Sequence, residues 1–117
     1  MDKTEQITVA APAEQDAEES LVLEFAKPYT FEGKEYKTLD LSGLEDTTAA
    51  DLSAVGKIVS KQGIASPMPE MTVEFSMHLA ARVSKLPVEF FQRLPARETI
   101  KLKNLVTGFL YGGDGDN

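Results

Sequence analysis

Residues 27–44 read KPYTFEGKEYKTLDLSGL, an order typical of a β-hairpin that leads into a helix. Pro28 has no N–H to give to a sheet, so it predicts the end of the first strand. Gly33 tolerates the positive φ that a tight hairpin turn needs, so it predicts the turn. The stretch holds no catalytic residue, and it therefore indicates a small recognition or assembly protein more than an enzyme.

The strands on either side of this turn are short. We predict them at about residues 21–26 and 35–41, and an extension of the first strand to Thr30, beyond a break at its edge, stays open. In the second strand Leu39 and Leu41 alternate with polar residues, so they are expected to face the core. A lone hairpin is marginally stable in water, so it is expected to pack on helices or to pair with another chain through its open edges.

The rest of the chain is patterned for helices. Thr48 and Asp51 resemble a capping box, which predicts the start of a helix, and Gly63 is a natural residue just after its end. Pro87 and Pro95 suit the first turns of two further helices. We predict four helices, at about residues 48–62, 70–85, 87–94 and 96–111.

The three longer helices each carry one apolar stripe, with residues spaced by three or four positions as on a buried helix face. The chain is therefore predicted to be an α+β protein, mainly helical, in which an N-terminal β-hairpin packs on a small bundle of three to four α-helices. The stripes consist of Leu52, Val55, Ile58 and Val59 in the first helix, of Met71, Phe75, Leu79, Val83 and Leu86 in the second, and of Leu102, Leu105, Val106, Phe109 and Leu110 in the last.

The chain of 117 residues is long enough for one domain and too short for two ordinary ones. We predict a single α+β domain at residues 21–112, between a disordered acidic leader at residues 1–20 and a disordered tail at residues 113–117. The leader is poor in large aliphatic residues, which is typical of a segment that does not fold alone. A short strand at residues 6–10 is the alternative.

Charge is distributed unevenly along the chain. Residues 1–20 carry six acids and one lysine, whereas residues 21–111 carry eleven acids and eleven bases. Binding to nucleic acid or to an anionic membrane needs clustered Lys and Arg, so neither is an expected partner. No run approaches the roughly 20 apolar residues of a membrane-spanning helix, and no secretory signal pattern is present, so we expect a cytoplasmic protein.

Residue types that support catalysis are scarce. The chain has no Cys and one His, which excludes disulfides, thiolate chemistry and a multi-histidine metal site. His78 would need a partner such as Glu74 for acid–base chemistry, and a position at the margin of the core is the favoured interpretation. The acids Glu45, Asp46 and Asp51 match no metal-binding loop, so they are interpreted as solvated residues near a helix start. We therefore expect no enzymatic activity, no metal and no cofactor.

The only basic concentration of the chain lies between residues 93 and 103. It consists of Arg93, Arg97, Lys101 and Lys103. The first three are spaced by four residues, as on one face of a helix, although Pro95 interrupts that helix. A solvated face is the favoured interpretation, and docking of an acidic partner or of the chain's own leader stays open.

Large apolar side chains are the candidates for partner contacts. Phe90 and Phe91 are adjacent, so on a helix they cannot both face the same side, and one of them is a candidate contact. The end of the last helix also carries more apolar surface than so small a fold needs. Ordinary core packing is the alternative for all of these residues. The candidate partner-binding residues are Phe75, Leu79, Phe90, Phe91, Phe109 and Tyr111.

Together these patterns resemble the small tail assembly chaperones of Mu-like tailed phages. The resemblance extends over roughly residues 21–112 and is carried by the hairpin, by the entry into the first helix and by the ending NLVTGFLYGG. The acidic leader is a departure from the family pattern. The matching residues are Lys27, Pro28, Phe31, Gly33, Lys34, Tyr36, Leu39, Leu41, Leu44, Thr48, Asp51 and Leu52, with Val106, Phe109 and Leu110 in the last helix.

The resemblance implies a non-enzymatic protein that binds the tape measure protein, keeps its hydrophobic helices soluble and helps to recruit tail-tube subunits. It also implies action in the host bacterial cytoplasm and absence from the finished virion, and in many such phages a programmed frameshift extends the product. The implied partners are the tape measure protein and the tail tube protein, and homo-oligomer formation stays open. Two other functions stay open, a minor structural protein of the virion tail and a small acidic regulatory or inhibitory binding protein.

Overall fold

The computed structural model describes residues 21–112. The predicted acidic leader at residues 1–20, the alternative strand at residues 6–10 and the tail at residues 113–117 lie outside the described residues. The described part contains an antiparallel β-hairpin followed by helices, and it confirms the predicted mainly helical α+β fold.

The hairpin consists of strand β1, Val22–Phe31, and strand β2, Lys34–Asp40. The two residues of its turn, Glu32 and Gly33, have φ values of 50° and 81°. Two consecutive positive φ values are the mark of a type I′ turn, whose twist matches that of the strands. The turn prediction is therefore confirmed. Glu32 adopts a backbone conformation that residues other than Gly and Asn rarely take.

Strand β1 runs through Pro28, so the prediction that this residue ends the strand is wrong, and the extension left open by the sequence is observed. The pairing changes register between Glu24, which faces Thr38, and Tyr29, which faces Tyr36. Five residue steps on β1 thus lie opposite two steps on β2. Such a bulge needs no ladder N–H from the extra residues, which is why a proline fits within the strand.

The bulge also changes which residues of β2 face the core. Leu39 is buried opposite Leu23, and Tyr36 packs inward opposite Tyr29, although Leu39 and Tyr36 differ in parity. An unbroken strand would send these two side chains to opposite faces. Because the register shifts by an odd number of residues, both side chains lie on the core-facing side of the hairpin. Strict alternation along the sequence does not predict this.

The helices follow the hairpin in chain order. The last helix has the predicted bounds, whereas the second begins later than predicted because residues 69–71 form a separate 3₁₀ turn. Thr72 caps that second helix, since its Oγ1 accepts a hydrogen bond from the N–H of Phe75 at 3.1 Å. The helices are α1 Ala49–Lys61, α2 Val73–Ser84, α3 Val88–Gln92 and α4 Ala96–Tyr111, and the 3₁₀ turns are Ser42–Asp46 and Pro69–Met71.

Both ends of α1 follow the sequence signals. At its start, Asp51 Oδ2 accepts a hydrogen bond from the backbone N–H of Thr48 at 2.9 Å, as in a capping box. At its end, Gly63 has a φ of 84°, and the N–H of Ile64 donates to the carbonyl of Val59 at 3.3 Å. This is the Schellman pattern, and the predicted start and stop of α1 are confirmed.

A single core joins the hairpin to the helices. Helix α2 is central, since it packs against α1, α3, α4 and both 3₁₀ turns, while α4 also packs against β1. Ile58 and Met71, which the sequence assigned to buried stripes, are exposed. The buried apolar residues are Leu21, Leu23, Phe25, Phe31, Leu39, Leu41, Leu44, Val55, Val59, Phe75, Leu79, Ala80, Phe90, Phe91, Leu94, Leu102 and Val106.

Candidate partner-binding surface

Four of the six candidate contact residues lie in the core. Phe75, Leu79, Phe90 and Phe91 expose at most 3% of their surface. Helices and hairpin close over these four side chains, so they adopt the core packing that was the alternative in the sequence analysis. Contact of any of the six with a partner stays a prediction. Of the six, Phe109 and Tyr111 are the two whose side chains reach the surface.

Phe90 is the centre of an aromatic cluster that fastens the hairpin to α3. Its ring meets those of Tyr36, Tyr29 and Phe31 edge-on, at centroid distances of 4.9, 5.0 and 5.3 Å. The hydroxyl of Tyr29 also donates a hydrogen bond to the carbonyl oxygen of Phe90 at 2.7 Å. Edge-to-face contacts of this kind stabilise a core beyond the area that they bury. Phe90 therefore has a structural role.

Two cations lie over the outer rings of this cluster. The Arg93 guanidinium is 5.5 Å from the ring centre of Phe31, and the Lys34 ammonium is 5.1 Å from that of Tyr36. Burial raises the pKa of the Tyr29 hydroxyl, and the charge of Arg93 opposes that rise. The hairpin tip is thus held by aromatic contacts on the core side and by the two cations on the solvent side.

The other two candidate residues lie at the end of α4. Tyr111 is 50% exposed, and its hydroxyl donates a hydrogen bond to Oε2 of Glu70. That hydrogen bond lowers the pKa of the Glu70 carboxyl and raises the pKa of the Tyr111 hydroxyl. Phe109 and Leu110 are half-buried and pack against the core. The contact with Glu70 fixes the end of α4 to the 3₁₀ turn that precedes α2.

Two methionines beside Glu70 extend this surface. Met68 is 47% exposed and directly precedes the turn that Tyr111 touches, and Met71, the last residue of that turn, is 39% exposed. Methionine is flexible and polarisable, so it adapts to differently shaped apolar partners. Neither residue was predicted as a contact from the sequence, although the prolines around Met68 indicate a loop that cannot enter a helix. We define the terminal apolar surface as Met68, Met71, Phe109, Leu110 and Tyr111.

The structure places His78 beside a polar side chain at the end of α1. Its Nε2 lies 3.2 Å from the amide nitrogen of Gln62. Nearby on the same helix, Arg82 Nε donates to Asp51 Oδ1 at 2.8 Å and so ties α2 to α1. This hydrogen bond from Arg82, helped by the N–H of Thr48, lowers the pKa of Asp51. Among residues 21–112, no cluster of three or more His, Asp or Glu side chains has the arrangement of a metal site.

Glu98 is a buried carboxylate that the sequence analysis did not single out. It is 6% exposed, and its Oε2 accepts a hydrogen bond from the N–H of Ala26 at 2.8 Å. Lys101 lies 3.0 Å from the other oxygen and also donates to the carbonyl of Glu24. Burial alone would raise the pKa of Glu98, but these two partners outweigh it and hold the pKa below its ordinary value. The pair fastens α4 to the bulged part of β1.

Within the described part of the chain, none of the helices combines the length and the apolar character needed to cross a membrane.

The chain was compared with models of known protein families, and a match covers most of its length. A family model described as "Phage tail assembly chaperone proteins, E, or 41 or 14" matches residues 22–111. The matched range contains the hairpin and all four helices of the described residues. Neither the comparison with curated proteins nor that with solved structures gave a match.

Proposed function

The chain belongs to the phage tail assembly chaperone family, and we propose that it binds the tape measure protein and helps to recruit tail-tube subunits. The family match over residues 22–111 is the observation that carries this proposal. It supports phage tail proteins as the partners. In this proposal the chain acts in the host bacterial cytoplasm by holding a client, without catalysis.

The terminal apolar surface is the proposed client site. It combines exposed methionine and tyrosine side chains with half-buried Phe109 and Leu110. An amphipathic client helix can lay its apolar stripe on such a surface, where it displaces water from both partners. The buried candidates Phe75, Leu79, Phe90 and Phe91 belong to the core that holds the helices together.

Co-expression with a segment of the tape measure protein tests the proposal. The double variant Met71→Ser and Tyr111→Ser should reduce the fraction of soluble segment, because it removes apolar contact area from the client site. Ile100→Ser is the matched control, since Ile100 is also 50% exposed and lies on the same helix as Tyr111, far from its end. The control should leave the soluble fraction unchanged.

Two results would contradict this assignment. If the double variant is folded and keeps the segment as soluble as the unmodified chain does, the client site is wrong. If mass spectrometry finds the chain as a regular component of purified virions, a minor structural protein of the tail replaces the chaperone role.

A further inference from the structure

The middle of β1 carries backbone groups that lie outside the pairing of the hairpin. The pairing passes from Glu24 directly to Tyr29, so residues 25–28 have no partner across β2 in the described hairpin. Backbone N–H and C=O groups outside a ladder are a template on which a strand from another molecule can add. This part of β1 is therefore a site of strand addition unless another element covers it.

Two side chains of α4 cover the backbone groups on either side of Phe25. The N–H of Ala26 donates a hydrogen bond to Oε2 of Glu98 at 2.8 Å. The carbonyl of Glu24 accepts a hydrogen bond from the ammonium of Lys101. That ammonium lies 3.0 Å from Oε1 of Glu98, so the two head groups hold each other in place. We call Glu98 and Lys101 the edge cap, because they supply the acceptor and the donor that a neighbouring strand would supply.

The burial of Glu98 is costly for a contact that only joins α4 to β1. The residue is 6% exposed, and an ion pair taken out of water is often no more stable than apolar side chains of similar volume. An apolar side chain at this position could also pack α4 against β1, but it would leave the N–H of Ala26 without its acceptor. The backbone groups that the carboxylate covers therefore explain the buried charge better than packing does.

We propose that the edge cap is an autoinhibitory contact, which keeps β1 from pairing with β1 of a second copy of this chain. The covered groups are complementary to themselves in an antiparallel pair. With Phe25 opposite Phe25, the N–H of Ala26 in each copy meets the carbonyl of Glu24 in the other. Such a pair has the two-fold symmetry that is commonest among protein dimers. The proposal goes beyond client binding, since the cap lies in the first half of α4 and the terminal apolar surface includes the end of that helix.

The double variant Glu98→Ala and Lys101→Ala tests the proposal, because it removes the cap and preserves the net charge. Light scattering should show a weight-average mass that rises with protein concentration to about twice that of the unmodified chain. The matched control is the double variant Glu45→Ala and Lys61→Ala, which removes two exposed side chains and also preserves the net charge. The control should keep the mass of the unmodified chain at every concentration.

Hydrogen exchange at the amide of Ala26 shows whether the association uses this edge. In the double variant this amide should exchange fast in dilute solution, because its acceptor is gone, and slowly at the concentrations at which the mass rises. If the folded variant keeps the mass of the unmodified chain, or if it associates while Ala26 still exchanges fast, the proposal is wrong. Should the variant lose its helical circular dichroism, Glu98→Leu with Lys101→Leu replaces it, because apolar side chains keep α4 packed on β1, and the same two criteria decide.

Discussion

The hairpin tip and the end of α4 are both rich in large apolar residues, yet they differ in what covers them. At the tip, Phe90 is enclosed by rings from both strands and is fully buried. At the end of α4, half of Tyr111 is open to solvent, and its contact with Glu70 is a single polar one. Aromatic residues of the same chain thus end up buried or exposed according to which elements pack over them. The aromatic cluster at the tip stabilises the fold, whereas the terminal apolar surface is the client site that we propose.

The largest loss of stability is expected from Phe90→Ala. It removes a fully buried ring that contacts both strands and should cost about 3–5 kcal/mol of the free energy of unfolding, because a cavity remains. Urea unfolding followed by circular dichroism measures the loss. Tyr111→Ala serves as the comparison and should leave the unfolding midpoint nearly unchanged. Equal losses in the two variants would show that the regions do not differ as described.

The second-largest loss of stability is expected when the link between α4 and β1 is weakened. Glu98→Gln leaves Lys101 without its buried anionic partner and should cost about 1–3 kcal/mol at neutral pH.

The pH dependence of that cost follows from the lowered pKa of Glu98. A depressed carboxyl pKa stabilises the fold above the ordinary value of 4.5, and the stability is lost as the pH falls through the lower folded value. The difference in unfolding free energy between the native chain and Glu98→Gln should therefore shrink below about pH 4.5. Asp40, Asp51 and Glu70 also have lowered pKa values, but they are common to both chains and cancel in this difference. A difference that stays constant from pH 7 to about pH 3 would contradict the role of the charge.

A smaller effect of opposite sign is expected at the hairpin turn. Glu32→Asn places Asn-Gly in a type I′ turn and should raise the free energy of unfolding by about 0.5–1 kcal/mol, because Asn tolerates a positive φ better than Glu. Thermal unfolding measures the gain. Glu35→Asn, at an exposed strand position with ordinary φ, is the control and should not stabilise the chain. A loss of stability in Glu32→Asn would contradict the assignment of the turn.

The smallest effect should come from Tyr111→Phe. It keeps the ring but removes the hydrogen bond to Glu70, so the pKa of Glu70 should rise toward its ordinary value of 4.5. An NMR titration of the Glu70 carboxyl measures this change. Client solubility should be retained, because the apolar area of the terminal surface is preserved. An unchanged Glu70 pKa would show that the two side chains do not meet in solution.

Local sequence signals predicted the local features of the fold. The turn at Gly33, the cap at Asp51 and the stop at Gly63 each follow from backbone geometry that a few neighbouring residues determine. Helical periodicity predicted α4 with its observed bounds. The proline rule failed at Pro28 because a bulge, stabilised by the contact between Ala26 and Glu98, accommodates it.

Short patterns in the sequence are enough to predict the turns, the helix ends, the mainly helical α+β class and the resemblance to tail assembly chaperones. They do not show which apolar residues are covered. From the sequence, Phe90 was a candidate contact or a core residue and Met71 was part of a core stripe, whereas the fold buries the first and exposes the second. The pairing of Glu98 with Ala26, 72 residues apart, also arose only from packing. The physical reason is that periodicity is a property of one element, whereas burial depends on which other elements pack over it.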